Sequence, residues 1–450
     1  MKKLDSIIDE RLNNYLKLFD NLLRLKTVAA APVNEIEEAA QYLKNIFEER
    51  GYSVDIWAVD GNPVIHARIG DGGKTFVIYN HYDVQPAEPF ELWDYPPFQL
   101  SIVNNHLYGR GVADNKGNIV ARIMATDLFI EEYGDNYSIE WIIEGEEEIG
   151  SPTLDKVLSQ YRNEIYGDAG LWETGYVRPD NRLGFPLGYK GMIYIEIKLK
   201  RLKTDVHSGY APIIPNPALE IVELISKLKR SDGEILFKDI YRDIDEEYLE
   251  TAKEMAEEFP YESMGDLLNL LGIDSFVGGL TPKEAFLKIV TEPSLNIAGL
   301  YSGYTGEGSK TIVPSEAGVK IDIRPLPGQN PNKILKIFTD YLTENGFKDI
   351  DIEIHSMYPS GYTKPNEPII KYAMRAAKDV YGSEAVVSPL SGGSGPIYIF
   401  TDKLRIPLAG SGVGYYASRA HAPNENIRLE DFKRGVKHVY NLLKLYFQVD

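Results

Sequence analysis

The sequence predicts an α/β protein in two parts: a mixed, largely parallel sheet between helices, interrupted by an inserted ferredoxin-like α+β domain. Three observations carry this. Strand-like apolar runs alternate with helical periods over about the first 190 residues, a pattern that builds parallel sheets covered by helices. Past Gly191 the order becomes β-α-β-β-α-β with strict alternation in the strands. Near residue 361 the first pattern returns. A chain of 450 residues also exceeds what one core organises, so segments 1–190 and 361–450 are expected to form one domain and 191–360 the insertion.

Each element has a local reason. Leu4 to Leu25 and Glu35 to Arg50 place apolar residues every three or four positions, as amphipathic helices do, and Gly51 suits the end of the second. The runs "SVDIWAV", "PVIHARI" and "TFVIYNH" read as strands, and "NKGNIVARIMATDLFIEEY" as a helix. "YSIEWIIEGEEE" is a strand whose apolar part ends in acid, and "GDAGLWET" is a further buried strand. In the insertion, "MIYIEIKLKR", "SLNIAGLYSG", "GVKIDIRPL" and "DIDIEIHSM" are strands, while "NPALEIVELISKLK" and "NPNKILKIFTDYLTENG" are helices. A mostly helical excursion covers roughly 232–291. The last segment holds a helix at Ile369 to Val380, strands in "AVVSPLSGG" and "IPLAGSGVG", and a final helix from Leu429.

Composition narrows the function. With 48 basic and 67 acidic side chains the formal charge is −19, which argues against nucleic acid or an anionic membrane as partner. Cysteine is absent, so any metal here uses His, Asp and Glu, and no thiol nucleophile exists. The N-terminal helix is charged throughout, unlike a signal peptide, and no run reaches the length of a membrane span. A cytoplasmic protein is expected.

The ten residues "VIYNHYDVQP" pose the functional question. An apolar strand, Phe76 to Tyr79, delivers His81 and Asp83 to its end, two apart and therefore on one face. Four further segments place metal-type ligands at strand ends or in the turns after them. They are Asp114 in "GRGVADNKG", Glu147-Glu148 in "EGEEEIGSP", Glu173 in "LWETG" and His421 in "SRAHAPNE". Taken singly, each has an ordinary reading: a hydrogen-bonded histidine, a solvated acidic turn, or Asp114 capping the helix near Lys116. Together, three carboxylates and two imidazoles form an oxygen/nitrogen set suited to zinc, cobalt or manganese. Parallel sheets bind ligands at the carboxyl ends of their strands, where these residues occur.

Eight motifs in order, "HYDVQP", "GRGVADNKG", "EGEEEIGS", "LWETG", "DVHSG", "KTIVPSEAGVKIDIR", "SGGSGP" and "HAPNE", resemble the co-catalytic dinuclear zinc peptidase and deacylase family. That family includes carnosine dipeptidase, glutamate carboxypeptidase, succinyl-diaminopimelate desuccinylase, acetylornithine deacetylase and aminoacylase. The resemblance implies a zinc-peptidase-type catalytic domain carrying an inserted lid/dimerisation domain. It implies two divalent ions: His81 and Glu173 on the first, Glu148 and His421 on the second, and Asp114 bridging both. Asp83 would fix the tautomer of His81, and Glu147 would be the general base toward a metal-bridging hydroxide. It also implies a cis peptide bond after Asp114. His207 of "DVHSG" would stabilise the oxyanion from the second subunit of a homodimer, with Thr311 similarly placed. Arg324 would grip the substrate's free carboxylate, and Gly393, Ser394 and Gly395 would approach the same end. Asn115 departs from the family's frequent second aspartate. The implied activity is cleavage of the amide bond next to a free C-terminal carboxylate in short peptides, with deacylation of N-acyl amino acids as the alternative. "EGEEEIGS" points to the dipeptidase-like branch, whereas Glu173 is the residue type of carboxypeptidases and deacylases.

Overall fold

A computed structural model describes residues 2–29 and 33–449. Two compact units emerge: Met1–Leu187, Tyr362–Ser388 and Gly395–Asp450 in the first, Gly188–Gly361 and Pro389–Ser394 in the second.

In the first unit β1 (Ser53–Trp57), β2 (Val64–Ile69), β3 (Thr75–His81), β4 (Ser138–Glu144) and β5 (Ala169–Trp172) build most of a six-stranded sheet. Every residue of β3, β4 and β5 is buried, as expected of parallel strands covered on both faces. The helix Lys116–Tyr133 is buried almost all round its first four turns and packs against the last helix, Leu429–Phe447. A helix apolar on every side belongs inside the molecule. The helix expected at Leu4 to Leu25 spans Lys2–Arg24, and that expected at Glu35 to Arg50 spans Val33–Glu48, so each stops one or two residues earlier than the periodicity suggests. Gly51, at φ +84°, ends the latter with its N–H on Glu48 O.

The second unit contains β6 (Gly188–Lys190), β7 (Met192–Lys200), β8 (Ser294–Ser302), β9 (Glu316–Arg324) and β10 (Asp351–Tyr358). The last four pair antiparallel in the order β8-β9-β7-β10, the ferredoxin-like arrangement that the element order predicts. Ile193, Ile195, Ile197 and Leu199 alternate into a core with Ile221 and Leu224 of the helix Pro217–Leu228 and Ile334 and Phe338 of the helix Pro331–Glu344. The helical excursion exists as Glu246–Glu257, Glu262–Leu271 and Pro282–Thr291, around Ala256, Met264, Phe286 and Val290. The first and last of these helices start where side chains satisfy free N–H groups, at Asp245 and in the Thr281/Glu284 capping box. A short return strand, β11 (Ser391–Ser394), pairs parallel with β6, which draws residues 389–394 into this unit.

The strand β12 (Leu408–Gly410) then completes the first sheet, in the order β1-β2-β4-β3-β5-β12. Four of its strands, β4, β3, β5 and β12, run parallel, so their carboxyl ends share one edge. Among the described residues no helix is long and apolar enough to cross a membrane.

Behind that edge His438 is fully buried and donates from Nε2 to Ala373 O at 2.9 Å, while Ser411 Oγ lies 2.7 Å from its Nδ1. A carbonyl only accepts, which places the ring proton on Nε2. Burial pushes this histidine from 6.5 down to about 4. Between those values the unfolded chain binds a proton that the native chain refuses. Stability from this group is therefore full above the unfolded value and lost as pH falls through the window, by on the order of 3 kcal/mol. His438→Gln is expected to flatten that part of the curve; an unchanged difference in urea stability between about pH 4.5 and pH 7 would contradict it.

Candidate metal centre

The central strands end in polar residues at one edge. His81 closes β3, paired in register with Glu144 of β4, and Glu173 follows β5. The next turn after β4 is a short 3₁₀ segment, Glu147–Ile149. Asp114 precedes the helix Lys116–Tyr133, and His421 lies in the turn before Leu429–Phe447 with φ +62°, a conformation that costs a non-glycine residue roughly 1 kcal/mol or more.

Asp114 is the hub. Its Oδ1 lies 3.0 Å from His81 Nε2 and its Oδ2 3.1 Å from His421 Nε2. Glu173 Oε2 is 3.5 Å from His81 Nε2, and Glu148 Oε2 is 3.2 Å from His421 Nε2. The two imidazoles thus divide the carboxylates into two sets that share Asp114. Asp114 makes no helix cap: Asn115 takes the cap position, and the Asp114–Asn115 peptide is cis. Asn115 itself is buried, bonded to the Asn80 amide and donating to Glu173 O at 3.2 Å. The residue that departs from the family pattern therefore ties the end of β3 to the backbone of Glu173.

Asp83 lies behind His81, its Oδ1 3.3 Å and its backbone O 3.1 Å from Nδ1. Its carboxylate also accepts the N–H of Glu147 at 3.2 Å and of Glu148 at 2.9 Å. One buried acid thereby orients the histidine and fixes the turn that carries both glutamates. Glu147 offers an oxygen within 4.8 Å of ligand atoms of His81 and Glu173.

Glu148 Oε1 and Glu173 Oε2 are buried oxygens with no hydrogen-bond partner among the described residues. Buried carboxylate oxygens without a donor are costly, and divalent cations would satisfy them. The donor set, all oxygen and imidazole nitrogen, fits such ions. Electrostatics agree. Burial pushes Glu173 up to about 8, and burial together with the Glu173 charge pushes Glu147 well above its usual range. Hydrogen bonds to Asp114 and Glu148 raise His421 to about 10. Burial works to lower His81, but Glu173, Asp114 and Asp83 outweigh it and raise it. Burial works to raise Asp114, but the hydrogen bonds from His421 and His81 outweigh it and hold it low. Metal ligands bind deprotonated, so cation binding by these residues would release protons.

A model described as peptidase family M20/M25/M40 matches residues 77–445, which include all five of these ligand-type residues. The chain belongs to this family. As an M20/M25/M40 member it is a metallopeptidase, and similar proteins cover its whole length. It is 34% identical, with a TM-score of 0.89, to an M20 family metallo-carboxypeptidase from Sulfolobus solfataricus, over 96% of this chain and 99% of that one. It is 24% identical to the Cys-Gly metallodipeptidase dug1 of Schizosaccharomyces pombe, over 97% of this chain and 96% of that protein. Human carnosine dipeptidase 1, at 23% identity and a TM-score of 0.80 over both full chains, shares the fold.

All but one of the remaining candidate residues of this M20/M25/M40 peptidase form two groups in the second unit. His207 pairs with Ile312 in a two-residue ladder, Val206–His207 against Ile312–Val313, which Thr311 immediately precedes, and Ser208 N donates to Thr311 O at 3.0 Å. His207 is exposed, and its Nδ1 accepts from Gly209 N at 3.0 Å. Arg324 ends an interior strand, donating to Ser394 Oγ at 3.0 Å and Asp322 Oδ1 at 3.2 Å. Gly393 N bonds Ser391 Oγ at 3.0 Å, while Gly395 falls in the first unit. Sequence reasoning missed Arg122, Gln85 and Glu425. Gln85 Nε2 donates to Glu148 Oε2 at 3.0 Å, and its place in "HYDVQP" was the only available signal.

Proposed function

We propose that the chain is a dinuclear metal-dependent peptidase that removes the C-terminal residue from short peptides, dipeptides included. The observation that carries this is the division of the two Asp114 oxygens between His81 and His421, each with its own glutamate. His81, Asp114 and Glu173 would hold one ion and Asp114, Glu148 and His421 the other, with zinc the best match and cobalt or manganese the substitutes. Bound there, the pair supplies Lewis-acid polarisation of the scissile carbonyl and a water of lowered pKa. Glu147 takes the proton of the attacking water and returns it to the leaving amine nitrogen. Asp83 keeps Glu147 in place through the backbone. Arg324, with Ser394 and the backbone of Gly393 and Gly395, receives the free carboxylate; its partner Asp322 leaves guanidinium donors to spare.

His207 would donate to the carbonyl oxygen as it gains charge, from the partner subunit of a homodimer, with Thr311 beside it. Exposed Tyr210, Ile213, Leu219 and Val222 in the same unit support a surface that a second copy covers. We place the enzyme in the cytoplasm, on the acidic, cysteine-free composition.

The test is a substrate panel after chelation and reconstitution with zinc, cobalt or manganese. Peptides with free C-termini should be cleaved, and their C-terminal amides about a hundredfold more slowly, as loss of the charged hydrogen bonds to Arg324 implies. Equal rates for acids and amides, or activity indifferent to chelation, would overturn the proposal. N-acetyl amino acids turned over faster than peptides would make the enzyme a deacylase instead.

His207→Ala is expected to lower kcat by about 10²–10³-fold with little change in KM. Mixed and reassociated with an Asp114→Asn chain, it should recover roughly a quarter of native activity, since half the dimers are hybrid and each has one intact site. Recovery no greater than the unmixed controls would place His207 outside a shared site.

A further inference from the structure

Four residues beyond His421, Glu425 is fully buried, and both its oxygens are occupied by the segment that leads into Asp114. Its Oε2 accepts from Arg110 Nη1 at 2.7 Å and from Gly111 N–H at 3.0 Å. Its Oε1 accepts from Ala113 N–H at 2.8 Å and from the N–H of Asp114 itself at 3.1 Å. The backbone adds a fifth link, Gly109 N–H to Glu425 O at 3.1 Å. Such a run of N–H groups converging on one carboxylate requires an unusual turn. Gly111 provides it, with φ +90° and a position where a Cβ would stand 2.8 Å from Val84 Cγ1.

We propose that Glu425 is a positioning residue that preforms the bridging position: it fixes the backbone of Asp114 before any cation arrives and sets its spacing from His421. This rests on the reading of Asp114 as the bridge. Asp114 must present one oxygen to each of two ions, so its main chain has little freedom to drift. Each of its side-chain partners lies on a different element, and none holds its backbone. Glu425 does, and it lies four residues after His421, so the segment that carries one ligand also anchors the backbone of the other. Outer groups of this kind typically change metal affinity by about 10–100-fold when removed.

Glu425→Gln is the direct test. A glutamine can accept at only one of the two oxygen positions, so its amide must face either Arg110 and Gly111 or Ala113 and Asp114. Zinc affinities measured by competition with a chromophoric chelator should fall about 10–100-fold for both ions. The controls are Arg110→Met and Asp114→Asn. Arg110→Met removes the ion pair but leaves three backbone bonds, and should keep zinc affinity within about threefold even if it unfolds more readily. Native zinc affinity in Glu425→Gln, or an equal loss in Arg110→Met, would overturn the inference. A second measurement needs no variant: in chelated native protein, amide hydrogens over 110–114 should exchange slowly. Exchange there at the rate of an open loop would also overturn it, and decides the matter if Glu425→Gln does not fold. Asp114→Asn separates the two levels. If it loses zinc while Glu425→Gln does not, only this inference fails; if it keeps both ions, the bridging assignment fails and this inference with it.

Discussion

Glu147→Gln is expected to keep two metal ions per chain while kcat falls by about 10²–10⁴-fold and KM moves little, the signature of a lost proton acceptor. The substitution preserves shape, so the Asp83 bond to the Glu147 N–H survives. It removes one carboxylate from a buried cluster where Glu173 already raises Glu147, which relieves repulsion instead of creating it. The rival assignment is specific: Glu147 also has an oxygen within ligand range of His81 and Glu173, so it could serve as a ligand in place of Asp114. Metal analysis beside steady-state kinetics separates the two. Loss of an ion in Glu147→Gln would make it a ligand, and full turnover would remove it from the reaction.

What the sequence made legible here has a common physical cause. Buried parallel strands write themselves as apolar runs, so the first polar residue after each run marks the sheet edge, and His81 and Glu173 stand out. The insertion is legible because alternation along β7 and β9 separates one buried face from another side. What stays hidden depends on closure between distant segments. Arg110 and Glu425 are 315 residues apart, and nothing local in "HAPNE" distinguishes a solvated glutamate from one receiving four N–H donors. Residues 389–394 carry too short a run to show that they pair with β6 in the second unit. The π-helical turn at Ile399–Leu404 has no hydrophobic period from which to be read. The conflict between "EGEEEIGS" and Glu173 concerns the substrate, which the five candidate ligands leave unspecified because the peptidase and deacylase readings assign them the same roles.

Arg122→Met is expected to cost about 3–5 kcal/mol of stability, the range for removing one partner from a buried charged network. Arg122 projects from the helix Lys116–Tyr133 and is fully buried. Its Nη1 donates to Tyr79 O and Asn80 Oδ1, both at 2.9 Å. Its Nη2 donates to Trp172 O at 2.6 Å, Glu173 O at 2.9 Å and Ser411 O at 2.6 Å. One guanidinium therefore joins the carboxyl ends of β3, β5 and β12, three of the four parallel strands whose shared edge carries the candidate metal centre. Burial lowers Arg122 to about 9, opposed by the charge of Glu173, so it remains cationic at neutral pH. Methionine fills the space but removes a donor from each of those oxygens; Glu173 O keeps its bond from Asn115 Nδ2, and each oxygen left with no partner costs roughly 1–3 kcal/mol where water cannot reach it. Arg122→Lys should recover only part of the loss, because an ammonium cannot reproduce the planar fork. All four tryptophans, Trp57, Trp93, Trp141 and Trp172, lie in the first unit, so urea unfolding followed by their fluorescence reads the affected part of the chain. Stability within about 1 kcal/mol of native in Arg122→Met would mean the strand ends hold their geometry without it. A loss on the expected scale together with weakened zinc binding would show that the sheet edge and the ligand set are stabilised by the same side chain.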